Sequence, residues 1–202
     1  MRTLVDLIDT LTLQGVLNNP RIKRAFEEVD RADFVQPSLL SRAYENHPLP
    51  LGWGQTISQP YTVAFMLDLL DVREGESILD IGSGSGWATA LCANMTGSEG
   101  SVLGLERIHT LVKFGAANLA KYSYPHAHIG TAGAQLGMPG NLYDKILVSA
   151  ASDELPRELI LQLRIGGVLV IPVENSILKI TKKNRRRDRD RIALRVCVCS
   201  AN

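Results

Sequence analysis

Five residues, Gly82-Ser83-Gly84-Ser85-Gly86, limit the possible folds of this chain more than any others. They follow an apolar run, Ser77-Ile78-Leu79-Asp80-Ile81, whose length and composition predict a buried strand. Trp87 and a small-residue helical stretch from Ala88 to Met95 come next. A glycine loop between a parallel strand and its helix is where open α/β sheets receive nucleotides. Gly82 lets the chain turn, Gly84 lets backbone approach a ligand, and Gly86 lets helix and strand pack closely. The spacing is G-x-G-x-G. A dinucleotide fingerprint has its last glycine one residue later, where this chain has Trp87, so a nicotinamide-dependent enzyme is disfavoured.

The pattern around the loop supplies the rest of an α/β sheet. Helical spacing is expected over about 61–71, 111–122 and 156–163, and strands over 101–105, 127–130, 145–149 and 168–173. Residues 176–181 and 192–199 read as two further strands that can pair antiparallel. The expected fold is α/β: a doubly wound, mostly parallel seven-stranded sheet with a C-terminal antiparallel hairpin. An N-terminal helical segment precedes it. Leu4, Leu7, Ile8 and Leu11 recur at helical spacing, and Asn19-Pro20 opens a second helix with Ile22, Phe26 and Val29 as its apolar stripe. From His47 to Pro60 the prolines and glycines predict a long loop, and Leu49, Leu51, Trp53 and Ile57 give it apolar anchors. With 202 residues the chain is expected to form one domain. Within it, 1–60 is a helical segment with a substrate loop, 61–175 the cofactor-binding core and 176–202 the terminal hairpin.

Composition removes several function classes. Hydrophobic residues make up 45%, charged residues 21%, and net charge is +1, so no overall field favours nucleic acid or an anionic membrane. Asp6 and Asp9 interrupt any signal-peptide core, and no apolar run nears the ~18–20 residues of a membrane span. A cytoplasmic monomer is expected. The three cysteines are too few for a disulfide framework; Cys92 falls in a helical pattern, and Cys197 and Cys199 read as small residues on one face of a strand rather than as metal ligands. No metal site is expected. The run Lys182–Arg191 is basic, but Asp188 and Asp190 interrupt it and no aromatic residue is interleaved to stack on bases. It reads as a solvated hairpin turn.

Two carboxylates flank the loop. Glu106 ends the strand after it, 24 residues beyond Gly82, where a carboxylate can accept ribose hydroxyls. Asp80 precedes the loop and can orient it or meet a ligand ammonium group.

The second unusual run is Pro48-Leu49-Pro50-Leu51-Gly52-Trp53-Gly54-Gln55-Thr56-Ile57-Ser58-Gln59-Pro60. Together with Asp80-Ile81-Gly82-Ser83-Gly84-Ser85-Gly86, Glu106-Arg107-Ile108, Tyr143–Ala151 and Gly166–Val173, it resembles the protein-L-isoaspartate O-methyltransferases. The likeness runs from about residue 18 to 180. It implies a Rossmann-like class I methyltransferase fold, S-adenosyl-L-methionine as methyl donor, S-adenosyl-L-homocysteine as product, and isoaspartyl-containing proteins and peptides as acceptors. Ser58 matches the family's active-site serine. Ile57, Ser58, Asp80, Gly82, Ser83, Gly84, Gly86, Glu106 and Arg107 match the cofactor side, and Leu49, Pro50, Thr56, Ile57 and Ser58 the acceptor side. Two stretches depart from the pattern. Gly130-Thr131-Ala132-Gly133-Ala134-Gln135 lacks the family's usual acidic residue near the adenine, and residues 184–202 do not resemble its usual ending. Those departures leave room for an idle fold that keeps the cofactor; a methyltransferase with another acceptor, such as a small-molecule carboxylate or RNA, is the other alternative, and the Thr56-Ile57-Ser58 loop speaks against it.

Overall fold

The computed structural model describes residues 2–183 and the backbone of 193–199. Helix α1, Leu4–Leu13, starts at a capping box in which Thr3 and Asp6 satisfy each other's backbone amides. In α2, Pro20–Glu28, Asn19 caps the Arg21 amide and Pro20 takes the first helical position. Two short 3-10 turns, Arg31–Phe34 and Pro37–Arg42, lead to residues 47–60.

That segment is more ordered than a loop. Strands β1, Leu49–Gly52, and β2, Gln55–Ile57, pair antiparallel as a small ribbon. Its sequence alternates in the strand manner: Leu49, Leu51 and Ile57 are buried, Pro50 and Thr56 exposed. Prolines in the run hide this period, yet a two-stranded ribbon consists only of edges, where proline is tolerated.

Helix α3, Pro60–Leu70, then leads into β3, Ser77–Ile81. The core continues with α4 (Trp87–Thr96), β4 (Ser101–Glu106), α5 (His109–Leu119), β5 (Ala127–Thr131) and β6 (Tyr143–Val148). It ends with α6 (Arg157–Leu161), β7 (Leu163–Val173), β8 (Ser176–Lys183) and β9 (Ala193–Cys199). Seven strands form one sheet in the order β5-β4-β3-β6-β7-β8-β9. It is parallel from β5 to β7, and β8 pairs antiparallel with both β7 and β9. The expected α/β sheet and terminal hairpin are both present. Strand β7 starts five residues earlier than its apolar pattern suggests, because Gly166 at φ 86° helps absorb a register shift between Tyr143 and Lys145 on β6.

The two faces of the sheet are covered unequally. Ile78, Val102, Leu147 and Val170 join the core that α1 to α5 contribute to. Leu79, Leu105, Ile146 and Leu169 face the other way, where α6 supplies Leu159 and Ile160. Residues 132–142, which connect β5 to β6, form no helix. Cys92 is buried and free in α4. The side chains of Cys197 and Cys199, and residues 184–192 of the basic turn, lie outside the described residues.

Candidate active site

Chain order reverses at β3, whose neighbours are β4 and β6, so the carboxyl end of β3 opens into the crevice between them. The glycine loop fills that position. Gly82 and Ser83 donate backbone hydrogen bonds to the Leu105 carbonyl, at 2.8 and 3.1 Å. Gly86 has φ 86°, and a Cβ there would lie 2.8 Å from Ile129 Cδ1 and 2.9 Å from the Gly115 carbonyl oxygen. Helix α5 therefore lies directly against the loop, and both glycines are needed for that approach. Gly84 differs. A Cβ would meet only Leu51 Cδ1 at 3.6 Å and Gly82 O at 3.8 Å, so its far side is open.

Glu106 organises the same loop. Its Oε2 accepts from the Gly84 amide at 3.0 Å, and Oε1 from the Arg107 and Ile108 amides at 2.8 and 2.9 Å. A carboxylate has about four acceptor positions. Three are occupied by backbone, which leaves one for a ligand hydroxyl. The Arg107 side chain is exposed; its amide, not its guanidinium, meets Glu106.

Asp80 sits behind this wall and is fully buried. Its oxygens accept from the Thr89 hydroxyl at 2.6 Å and the Ser149 hydroxyl at 2.7 Å. Burial pushes its pKa up to about 6, against the lowering effect of those two hydrogen bonds. Of the three residues, Ser149 lines the cavity. The Ser83 hydroxyl is buried and has no hydrogen-bond partner.

The opposite wall is the ribbon. A cavity open to solvent is lined by Thr56, Ile57 and Ser58 from the ribbon side and by residues 82–85 of the loop. Trp87, Met66, Leu147 and Ser149 complete much of it. Leu49 is buried beneath the ribbon and Pro50 lies on its exposed face. Gln36 Nε2 donates to the Leu51 carbonyl at 3.1 Å.

Arg31 holds the base of the ribbon. It is fully buried, and its guanidinium donates to the carbonyls of Ala43 (2.6 Å), Glu45 (3.4 Å), His47 (3.0 Å) and Ser58 (3.1 Å). It also lies 5.4 Å from the centre of the Trp87 ring. Burial lowers its pKa to about 10, so it stays charged at neutral pH. The Ser58 hydroxyl finds no hydrogen-bond partner among the described residues, and α3 takes Gln59 as its N-cap instead. His47 is exposed and contributes only its carbonyl.

The structure thus brings Ile57, Ser58, Thr56, Gly82, Ser83 and Gly84 to one cavity, with Glu106 bracing the loop and Asp80 behind it. Arg31, Ser149 and Trp87 were not singled out as site residues from sequence. Ser149 had a signal: it ends the strand that adjoins the glycine-loop strand at the switch point. Arg31 had none, because its partners lie 12 to 27 residues away.

Sheet order, glycine loop and acidic strand end together define the class I methyltransferase fold. A methyltransferase of another specificity, the precorrin-6y C5,15-methyltransferase of Geobacter metallireducens, shares that fold at 17% identity, with a TM-score of 0.53 over 74% of this chain and 88% of that one. Much nearer is a Plasmodium falciparum protein described as a protein-L-isoaspartate O-methyltransferase, solved in complex with S-adenosyl-L-homocysteine. It superposes with a TM-score of 0.84 at 26% identity, over 99% of this chain and 97% of that one. The family model for protein-L-isoaspartate(D-aspartate) O-methyltransferase matches residues 2–199. Protein-L-isoaspartate O-methyltransferase of Pyrobaculum islandicum is 38% identical over 189 residues, covering 89% of this chain and 90% of its own. A relative of the same name from Archaeoglobus fulgidus is 41% identical over 163 residues, 80% of this chain and 76% of its own. The chain belongs to the protein-L-isoaspartate(D-aspartate) O-methyltransferase family.

Proposed function

We propose that this protein transfers a methyl group from S-adenosyl-L-methionine to the α-carboxylate of L-isoaspartyl residues in damaged proteins, the first step of their repair. The observation that supports the reading is the single cavity bordered by both the glycine loop and the Thr56–Ser58 end of the ribbon, as a methyl transfer between a nucleotide cofactor and a peptide acceptor requires.

The residues suit the cofactor. Gly84 leaves space on its outer side, and the buried Ser83 hydroxyl has a hydrogen bond still to make. Glu106 keeps one acceptor position for a ribose hydroxyl. When bound, S-adenosyl-L-methionine supplies a sulfonium-activated methyl group and leaves as S-adenosyl-L-homocysteine. Gly82, Ser83, Gly84, Gly86 and Glu106 would hold it, with Ile57, Ser58 and Arg107 as further contacts. Asp80 orients the loop from behind through Thr89 and Ser149.

No general base is required. A peptide carboxyl group with a pKa near ~4 is already ionised at neutral pH. The remaining task is alignment at about 3–3.5 Å and exclusion of water. Ser58 donates its hydroxyl to the acceptor carboxylate, while Leu49, Pro50, Thr56 and Ile57 shape the acceptor side.

No helix among the described residues is long and apolar enough to cross a membrane. No group of three or more His, Cys, Asp or Glu side chains among them is placed to hold a metal. We read the chain as one domain, acting as a cytoplasmic monomer on isoaspartyl proteins, without nucleic acid.

The test uses labelled S-adenosyl-L-methionine and two peptides of equal charge and composition, one with isoaspartate and one with aspartate. Only the isoaspartyl peptide should be methylated. Equal labelling of both would remove the isoaspartyl reading.

A further inference from the structure

Trp53 occupies the tip of the ribbon in a conformation that few side chains adopt. Gly52 pairs with Gln55, so Trp53 and Gly54 are the two central residues of a hairpin turn. Their φ angles are 52° and 71°. Such a turn asks for positive φ at both places, which Asn-Gly or Gly-Gly meets at little cost. A bulky aromatic in that position is strained. Packing offsets that strain only in part, since Trp53 is 56% exposed. Trp87, the other tryptophan, is 2% exposed and packs against Phe26. Strain of this kind in a mostly exposed residue beside a candidate site points to a ligand rather than to the core.

The position suits a peptide. Pro50 and Thr56 form the open face of the ribbon, and Thr56 and Ser58 border the cavity. Trp53 is five residues from Ser58, at most roughly 17 Å along an extended strand. That upper bound equals the reach of about five residues of extended peptide. A chain with its carboxylate at Ser58 that runs along the open face would pass the indole within this span. Gly52 and Gly54 carry no side chains, and a Cβ at either would meet nothing within 4 Å. With 56% of the residue exposed, the flat indole offers an open surface that suits a planar partner better than an aliphatic one that needs an enclosing pocket.

We propose that Trp53 is a specificity-determining residue whose indole stacks on an aromatic side chain two to four residues from the isoaspartyl acceptor. The proposal rests on the assignment of the acceptor carboxylate to Ser58. The experiment takes the full-length protein and a set of isoaspartyl peptides built on glycine and serine, each with one phenylalanine placed two, three or four residues before or after the acceptor. For the wild type, one placement should lower KM by about three- to tenfold relative to the peptide without phenylalanine. Trp53→Asn fits the turn better than tryptophan, so its melting temperature should equal or exceed that of the wild type. It should retain S-adenosyl-L-homocysteine affinity and erase the preference, giving one KM for all peptides. Trp53→Gly serves as the second variant with the same expectation. Methylation of every peptide with no preference in the wild type would overturn the role of Trp53 alone, as would a preference that survives both variants. Failure to methylate any isoaspartyl peptide would overturn the acceptor assignment itself and this proposal with it.

Discussion

The two walls of the cavity are built in opposite ways. The glycine-loop wall is local: strand, loop and helix are contiguous from Ser77 to Thr96, and most of its shape follows from its own glycines and from Glu106 on the next strand. The ribbon wall is borrowed. Its turn is short, its two strands pair at three positions, and Arg31 and Gln36 reach in to it from the segment that precedes it. A nucleotide seat that must be the same for every turnover is thus encoded locally. The proposed acceptor seat hangs on long-range contacts instead, and its Thr56–Ser58 end borders the same cavity as the glycine loop.

The largest effects should come from inside the glycine wall and should divide it. Gly86→Val drives a branched side chain into Ile129 and the α5 backbone, and is expected to cost more than ~4 kcal/mol, enough to unfold or precipitate the chain. Gly84→Val has room in the fold and should cost only about 1–2 kcal/mol for its positive φ, yet its side chain projects into ligand space. Thermal unfolding should find Gly84→Val folded, and calorimetric titration should find no S-adenosyl-L-homocysteine binding. Undiminished binding would place the cofactor elsewhere.

The next effect is electrostatic and belongs to the same wall. The Asp80 carboxyl has a folded pKa of about 6 against an ordinary 3.8. Between those values the folded state holds more protons than the unfolded state. The contribution of Asp80 to stability is therefore greatest below about pH 4 and declines as pH rises to 6. Asp80→Asn removes that slope. In denaturant unfolding the variant should gain on the wild type by on the order of 2 kcal/mol between pH 4 and pH 7. A difference that stays constant with pH would mean that the carboxyl titrates as an ordinary one.

The smallest effect should sit on the ribbon and spare the other wall. Ser58→Ala removes one hydrogen bond to a charged acceptor, about 1.5 kcal/mol or roughly tenfold in kcat/KM. Affinity for S-adenosyl-L-homocysteine should stay within about twofold. A larger loss in cofactor affinity than in turnover would move Ser58 to the glycine wall and erase the contrast between the two.

The same division explains what the sequence discloses. Ile78, Leu79 and the three loop glycines report their own strand, turn and packing, because the forces that shape them act within a few residues. The seven strands and the terminal hairpin are legible for that reason. The ribbon is not, since its period of two runs through prolines and its anchor, Arg31, sits in an unremarkable Asp30-Arg31-Ala32-Asp33 stretch. Nor does sequence reveal that Glu106 uses three of its four acceptor positions on backbone amides, a consequence of loop curvature rather than residue type. Asp80 was open to two readings, and burial decides which way its oxygens face.

The two hydrogen bonds of Asp80 also carry a time order. Thr89 stands nine residues from it along the chain, and Ser149 stands sixty-nine away. During synthesis, β3, α4 and β4 can meet as soon as they are made, because the loop that closes them is short. At that stage the carboxylate has one hydroxyl partner and an open flank toward water. Its second partner arrives only when β6 has been made and has joined the far side of β3. The nucleotide seat can therefore take shape on a half-built sheet, but the charge beneath it is sealed from solvent only by the later half of the chain.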